Sequence, residues 1–211
     1  MKYSASDLVK RSAAQIVYLR YRAEAALSRR ALLGEQYQSK IVKGESLSNV
    51  VADEMRGCYT YDGDEIFFCI DMIKNGEFFE IKSVQDKDGN ETDIYPEWYL
   101  NNLLLQCAFY KSLILNMNGS TLYTPKFRLK EGFKKAHIEI NKSASYYLIF
   151  GSVGMFKVDV IDPKKIISFY ENKIDHCTDY EMARKYDTEY KRKEFELLSP
   201  FFQYQTCNKK L

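Results

Sequence analysis

Asp71, Glu80 and Lys82 are the residues whose types and spacing best support chemistry in this chain. Asn75-Gly76 stands between two apolar runs. Asn-Gly in that setting signals a two-residue hairpin turn, because both central residues of a type I′ turn need φ > 0. Such a turn pairs Lys74 with Glu77, Ile73 with Phe78, Met72 with Phe79 and Asp71 with Glu80. The last pair sets two carboxylates opposite each other, with Cβ atoms ~4.5–5.5 Å apart. Lys82 points to the same face. The other face is expected to carry Phe68, Ile70, Met72, Phe79 and Ile81, an unbroken apolar set turned to a core. Opposed carboxylates weaken a ladder unless something neutralises them. A hard divalent cation would do so through oxygen ligands, and a lysine beside it can orient water or offset charge at a phosphate. The trio therefore points to metal-assisted hydrolysis of a phosphodiester. The same residues also read as a solvent-exposed hairpin face bearing an ordinary ion pair, and a bulge would shift the register.

The elements around this hairpin follow from periodicity. Residues 57–84 read as three short strands, CYTY, EIFFCIDMI and EFFEIKSV, punctuated by Asp62-Gly63 and Asn75-Gly76. Glu97 to Met117 reads as a helix on which Gln106 and Tyr110, four apart, share one face. By itself Gln-x-x-x-Tyr is a weak pattern. Upstream, a helix is expected from Asp7, capped by Ser4 or Ser6, and a second helical stretch over Ala23 to Val51, broken near Gly34 or Gly44. Downstream, Ala136–Ile140, Tyr146–Phe150 and Met155–Ile161 read as strands. Asp162-Pro163 opens a helix with Pro in its first turn, and Tyr180 to Leu198 reads as a charged helix. This order predicts a single α/β or α+β domain over residues 1–211.

Asp71, then Glu80-Ile81-Lys82, then Gln106-Cys107-Ala108-Phe109-Tyr110 together resemble the PD-(D/E)XK nuclease superfamily, and within it the RecB-like and lambda-exonuclease-like branch. Tyr3-Ser4-Ala5-Ser6-Asp7-Leu8 is similar to the opening Ser-x-Ser-x-Leu segment of RecB-like exonucleases. Gly34-Glu35-Gln36-Tyr37-Gln38 is similar to the first-helix motif, with Gln38 where the family carries a metal-binding His or Glu. The resemblance covers roughly residues 1–115, so the strands and helices from about 118 are additions to it.

The resemblance implies a restriction-endonuclease-like core, a central mixed sheet flanked by helices. It implies Mg²⁺ or Mn²⁺ held by Asp71, Glu80 and the Ile81 carbonyl, with Gln38 or Glu35 completing the shell. Lys82 would position the attacking water, and Gln106 and Tyr110 would organise the site or touch DNA. The activity implied is DNA hydrolysis, with an exonuclease as the leading form, in repair, recombination or the processing of phage or mobile-element DNA. Gln38 offers only a neutral carbonyl oxygen, which leaves an alternative: a weakened nuclease fold that binds nucleic acid or a protein partner without cutting. Some relatives hold an iron–sulfur cluster with four thiolates. Here Ser12 and Ala13 follow the N-terminal segment, and Cys177 and Cys207 are isolated, so no cluster is expected.

Bulk properties set outer bounds. The chain has 211 residues, a net charge of +2, 45% hydrophobic and 28% charged residues, which excludes a disordered polymer. No apolar run reaches the ~18 residues of a membrane span. MKYSASDLVKR has no apolar signal core, so the expected setting is the cytoplasm, its own or that of a phage host. Five cysteines without a C-x-x-C argue against a disulfide framework or zinc ribbon. Lys126, Arg128, Lys130 and Lys134 interleave with Phe127 and Phe133, a pattern suited to gripping single- or double-stranded DNA. It equally suits a solvated hairpin edge guarded by lysines. Arg29 and Arg30 belong to a second basic stretch. Lys191-Arg192-Lys193 reads as a solvated helix face, and His137 and His176 as incidental.

Overall fold

The computed structural model describes residues 1–19, 50–84, 86, 90, 92–129 and 132–207, with backbone alone at 50–53, 125–129 and 132–134. The described residues form a mixed α/β structure built on one large sheet. Its strands are β1 (Lys2–Ser4), β2 (Val50–Tyr61), β3 (Asp64–Lys74), β4 (Glu77–Lys82), β5 (Thr121–Leu129), β6 (Gly132–Glu139), β7 (Tyr146–Phe150), β8 (Gly154–Val160) and β9 (Phe202–Cys207). The helices are α1 (Ala5–Lys10), α2 (Ala13–Leu19), α3 (Glu97–Asn116), α4 (Pro163–Asp175), α5 (Tyr180–Tyr190) and α6 (Glu194–Leu198). The order across the sheet is β6-β5-β2-β3-β4-β7-β8-β9, with β1 added beside β3. β1/β3 and β4/β7 are parallel and the other pairs antiparallel. None of the described helices is long and apolar enough to cross a membrane.

The central hairpin has the expected turn. Asn75 and Gly76 both take positive φ, 53° and 78°, and the pairs Lys74↔Glu77, Ile73↔Phe78 and Met72↔Phe79 follow. The expected apolar face does not continue as a single set. Phe68, Ile70, Ile73 and Phe78 belong to the main core, whereas Met72, Phe79 and Ile81 pack with Ile149 and Met155 in a second cluster. Ile70 and Ile73, three residues apart, lie in one cluster, so the two-residue pleat of β3 changes phase between them. The change falls opposite Glu54 of β2, which has a left-handed φ of 55°.

The two face sets explain the layering. On one side α1 and α3 pack on the sheet and α4 packs on α3, and together with α2 and α5 they form the main core. α3 is buried on all sides from Leu103 to Ile114. Phe109 of α3 meets Tyr170 of α4 with ring centroids 4.1 Å apart.

Several expected elements end elsewhere. The helix from Asp7 is two helices, because Arg11 is extended (ψ 154°) and Ser12 starts α2 with a reciprocal cap. The Gln15 amide donates to Ser12 Oγ and the Ser12 amide donates to Gln15 Oε1. Asp187 also accepts from the Ala13 and Ala14 amides. Residues 23–49 of the expected second helical stretch lie outside the described residues, and Val50 and Val51 begin β2 instead. The helix expected over Tyr180 to Leu198 is broken by a 3₁₀ turn at Lys191–Lys193. Lys191 does not point to solvent as expected: its ammonium donates to Val9 O and to Glu194. Lys173 donates to Leu8 O, Arg11 O and Glu194. Two lysines thus satisfy the free carbonyls at the end of α1, where cations suit the helix dipole.

Candidate active site at the parting of two strands

β1 and β4 share one edge of β3, because β2 occupies the other edge along its whole length. β1 pairs with Glu65–Phe67 and β4 with Met72–Lys74, and Asp71 sits in the gap between them. The expected fourth pair, Asp71 with Glu80, is not bridged. The Ile81 amide donates instead to Asp71 Oδ2 at 2.8 Å. β4 parts from β3 here but stays paired on its other edge with β7, with Glu80 beside Leu148 and Lys82 beside Phe150.

The parting gathers charged groups in a buried place. Asp71 is 9% and Glu80 2% exposed, so this is no solvent-exposed hairpin face. The Lys82 ammonium lies 3.0 Å from Asp71 Oδ2 and 2.5 Å from Glu80 Oε1, bridging both carboxylates. It also donates to the Ile81 carbonyl at 3.1 Å. Gln106 Nε2, from α3, donates to Glu80 Oε1 at 2.6 Å. Gln106 Oε1 is buried without a partner. The hydroxyl that reaches Glu80 Oε2, at 3.5 Å, belongs to Tyr146 of β7. Tyr110 is buried one turn from Gln106 and packs on Phe68, which in turn lies over Gly57.

The electrostatics follow from burial and proximity. Desolvation, then the Asp71 charge, pushes the Glu80 carboxyl up to about 7, against the opposing pull of Lys82 and Lys10. Burial lowers the Lys82 ammonium, but Asp71 and Glu80 more than reverse this and hold it well above the ordinary lysine range. Lys10, the last residue of α1, is a cation that no motif singled out. Its ammonium is drawn below the ordinary range by desolvation and then by Lys82, with Glu80 and Asp71 opposing. It keeps solvent contact, so this coupling is screened. No sequence signal marks Lys10, because its place depends on how α1 docks.

The donors present fit a hard divalent cation. Two carboxylates, the Ile81 carbonyl and the unpartnered Gln106 carbonyl offer oxygen alone. Among the described residues no three His, Cys, Asp or Glu side chains converge as a metal site. Gln38 and Glu35, expected to complete the shell, lie outside the described residues, as do Arg29, Arg30 and Lys130. Lys126 and Arg128 fall on β5 and Lys134 on β6, the edge strand, so this hairpin does not join Asp71 and Glu80. Compared with protein-family models, curated proteins and solved structures, the chain matches none.

Proposed function

We propose that this chain is a Mg²⁺- or Mn²⁺-dependent nuclease of restriction-endonuclease-like fold that hydrolyses phosphodiester bonds in DNA and acts as an exonuclease. The observation that carries the reading is the convergence of Asp71, Glu80, Lys82 and the Ile81 carbonyl where β3 and β4 part. Asp71, Glu80 and the Ile81 carbonyl would hold the cation, with Gln38 or Glu35 as a further donor. The bound ion supplies Lewis-acid polarisation of the phosphate and a more acidic water. Lys82, with 22% side-chain exposure the most accessible of the three, orients the attacking water and offsets charge on the phosphate. Gln106 holds Glu80 in place, and Tyr146 backs it from β7. Tyr110 supports Phe68 beneath the site.

A second reading, a nuclease-fold protein that binds nucleic acid or a protein partner without cutting, draws on one observation. Lys82 already bridges both carboxylates in a closed triad. Single-turnover cleavage of end-labelled DNA with and without Mn²⁺ separates the two. The nuclease reading expects metal-dependent cleavage, its loss in Asp71→Ala, and a slowing on the order of 10²-fold in Lys82→Ala. Absence of cleavage in the wild type favours the second reading.

A further inference from the structure

A run of aromatic side chains leads from the candidate site to solvent. Phe150 is the register partner of Lys82 across the β4/β7 pair. The Tyr95 ring lies 4.9 Å from Phe150, edge to face, and the Tyr99 ring 5.8 Å from it. Trp98 continues the run at 5.9 Å from Tyr99. The charge of Lys82 is felt at the Tyr99 hydroxyl. Tyr95 and Tyr99 are half-buried against the main core, which fixes them. Trp98, the chain's single tryptophan, is 63% exposed on the first turn of α3. Ile94 beside it is 82% exposed.

Exposing a large indole next to a buried charged cluster forfeits the burial that usually retains such a residue. It makes sense where a flat apolar partner covers the ring. Asp93 and Glu97 border the ledge and are exposed, so it disfavours phosphates and offers its faces to bases. Among the described residues, Lys82 is the cation whose charge reaches Tyr99 and could meet a phosphate.

We propose that Tyr95, Trp98 and Tyr99 form a base-stacking ledge for an unpaired DNA strand, which makes the site selective for single-stranded DNA or frayed duplex ends. This rests on the nuclease reading for the phosphate at Lys82. Paired bases inside a duplex present no free face to an indole, whereas every unpaired base does.

The test titrates the full chain with a fluorescein-labelled oligo-dT in Ca²⁺, following anisotropy and Trp98 emission together. The ledge predicts that emission is quenched and saturates with the anisotropy. Trp98→Ala weakens binding of the single strand about tenfold, the scale of one base–aromatic stack. It changes binding of a blunt duplex less than about twofold, and Trp98→Phe recovers most of the loss. A melting curve of each variant controls for folding. Binding with unmoved emission and an unchanged affinity in Trp98→Ala overturns the ledge, and so does absence of binding. Cleavage of the same oligonucleotide in Mn²⁺ reports on the nuclease reading separately. Cleavage without quenching sinks the ledge alone, and quenching without cleavage sinks the nuclease alone.

Discussion

Gln106 on α3 donates its side-chain amide to Glu80 on β4 at 2.6 Å, while the carbonyl oxygen of the same amide is buried with nothing to accept from. The bond ties the central helix to the strand that carries the acid. A hydrogen bond to a buried carboxylate contributes about 1.5–3 kcal/mol, and its loss leaves the acceptor short of a partner. Gln106→Ala is therefore expected to lower the unfolding free energy of the metal-free protein by about 1–3 kcal/mol. Gln106→Glu is expected to cost more, because it sets a further carboxyl against Glu80. Urea unfolding of the three proteins in chelator measures both, and a neutral Gln106→Glu contradicts the arrangement.

Glu80 gives the protein a pH-dependent stability of defined sign. Its carboxyl is pushed up to about 7 in the folded state, above the ordinary value of 4.5. The folded state then binds the proton more tightly than the unfolded state. That contribution is complete below about pH 4.5 and is lost as pH rises through about 7, a change on the order of 1–3 kcal/mol. Glu80→Gln should flatten this slope. Lys10→Ala should move the upper limb to higher pH, because Lys10 favours the charged carboxylate. Chemical unfolding from pH 5 to 8 reads all three, and an unchanged slope in Glu80→Gln refutes the assignment.

Metal binding should oppose that loss. A cation that binds only the folded chain stabilises it by about 2.7 kcal/mol at a hundredfold excess over Kd. Mn²⁺ is expected to raise the melting temperature at pH 8, more weakly at pH 6, where Glu80 holds its proton. Asp71→Ala should abolish the increase. Equal shifts in wild type and mutant would sink the assignment of the carboxylate pair.

The Lys173–Glu194 pair, buried at 0% and 3% side-chain exposure with 2.6 Å between the charged atoms, is expected to secure the end of α1. Burial draws the Lys173 ammonium down, and Glu194 opposes this. Removing one partner of such a pair typically costs about 3–5 kcal/mol. Lys173→Met should fall in that range, and Lys173→Met with Glu194→Leu should cost less than the sum of the single changes. Additive losses in a double-mutant cycle would show that the two charges act independently.

The hairpin was legible because its determinants are local. Asn75 and Gly76 demand a turn, and the turn sets the three pairs that follow. Asp162-Pro163 likewise announces α4, where the Asp162 carboxylate accepts from the Lys165 amide at 3.1 Å. α3, β7 and β8 followed from periodicity within one residue run. β1 and β9 were not foreseen, and β5 only as one side of the alternative hairpin edge: each is completed by pairing with a strand its own pattern does not specify.

The amino-acid sequence by itself determined which side chains enter the cluster: Asp71 and Glu80 astride a turn, and Lys82 one pleat further on. Tertiary structure decided what they do to one another. The phase change in β3 sends its apolar residues to two cores, and its pairing with β4 stops at Met72↔Phe79 while β4 runs on along β7. An amide ladder bond is thereby exchanged for one to Asp71. Burial of Glu80 depends on Gln106, 26 residues away, and Tyr146, 66 residues away. Alternation along a strand is a short-range property of the backbone, whereas desolvation is set by whatever packs above it. That is why the acids could be named from spacing, and why the raised Glu80 carboxyl and the nearby Lys10 emerge only once α1 and α3 are seated on the sheet.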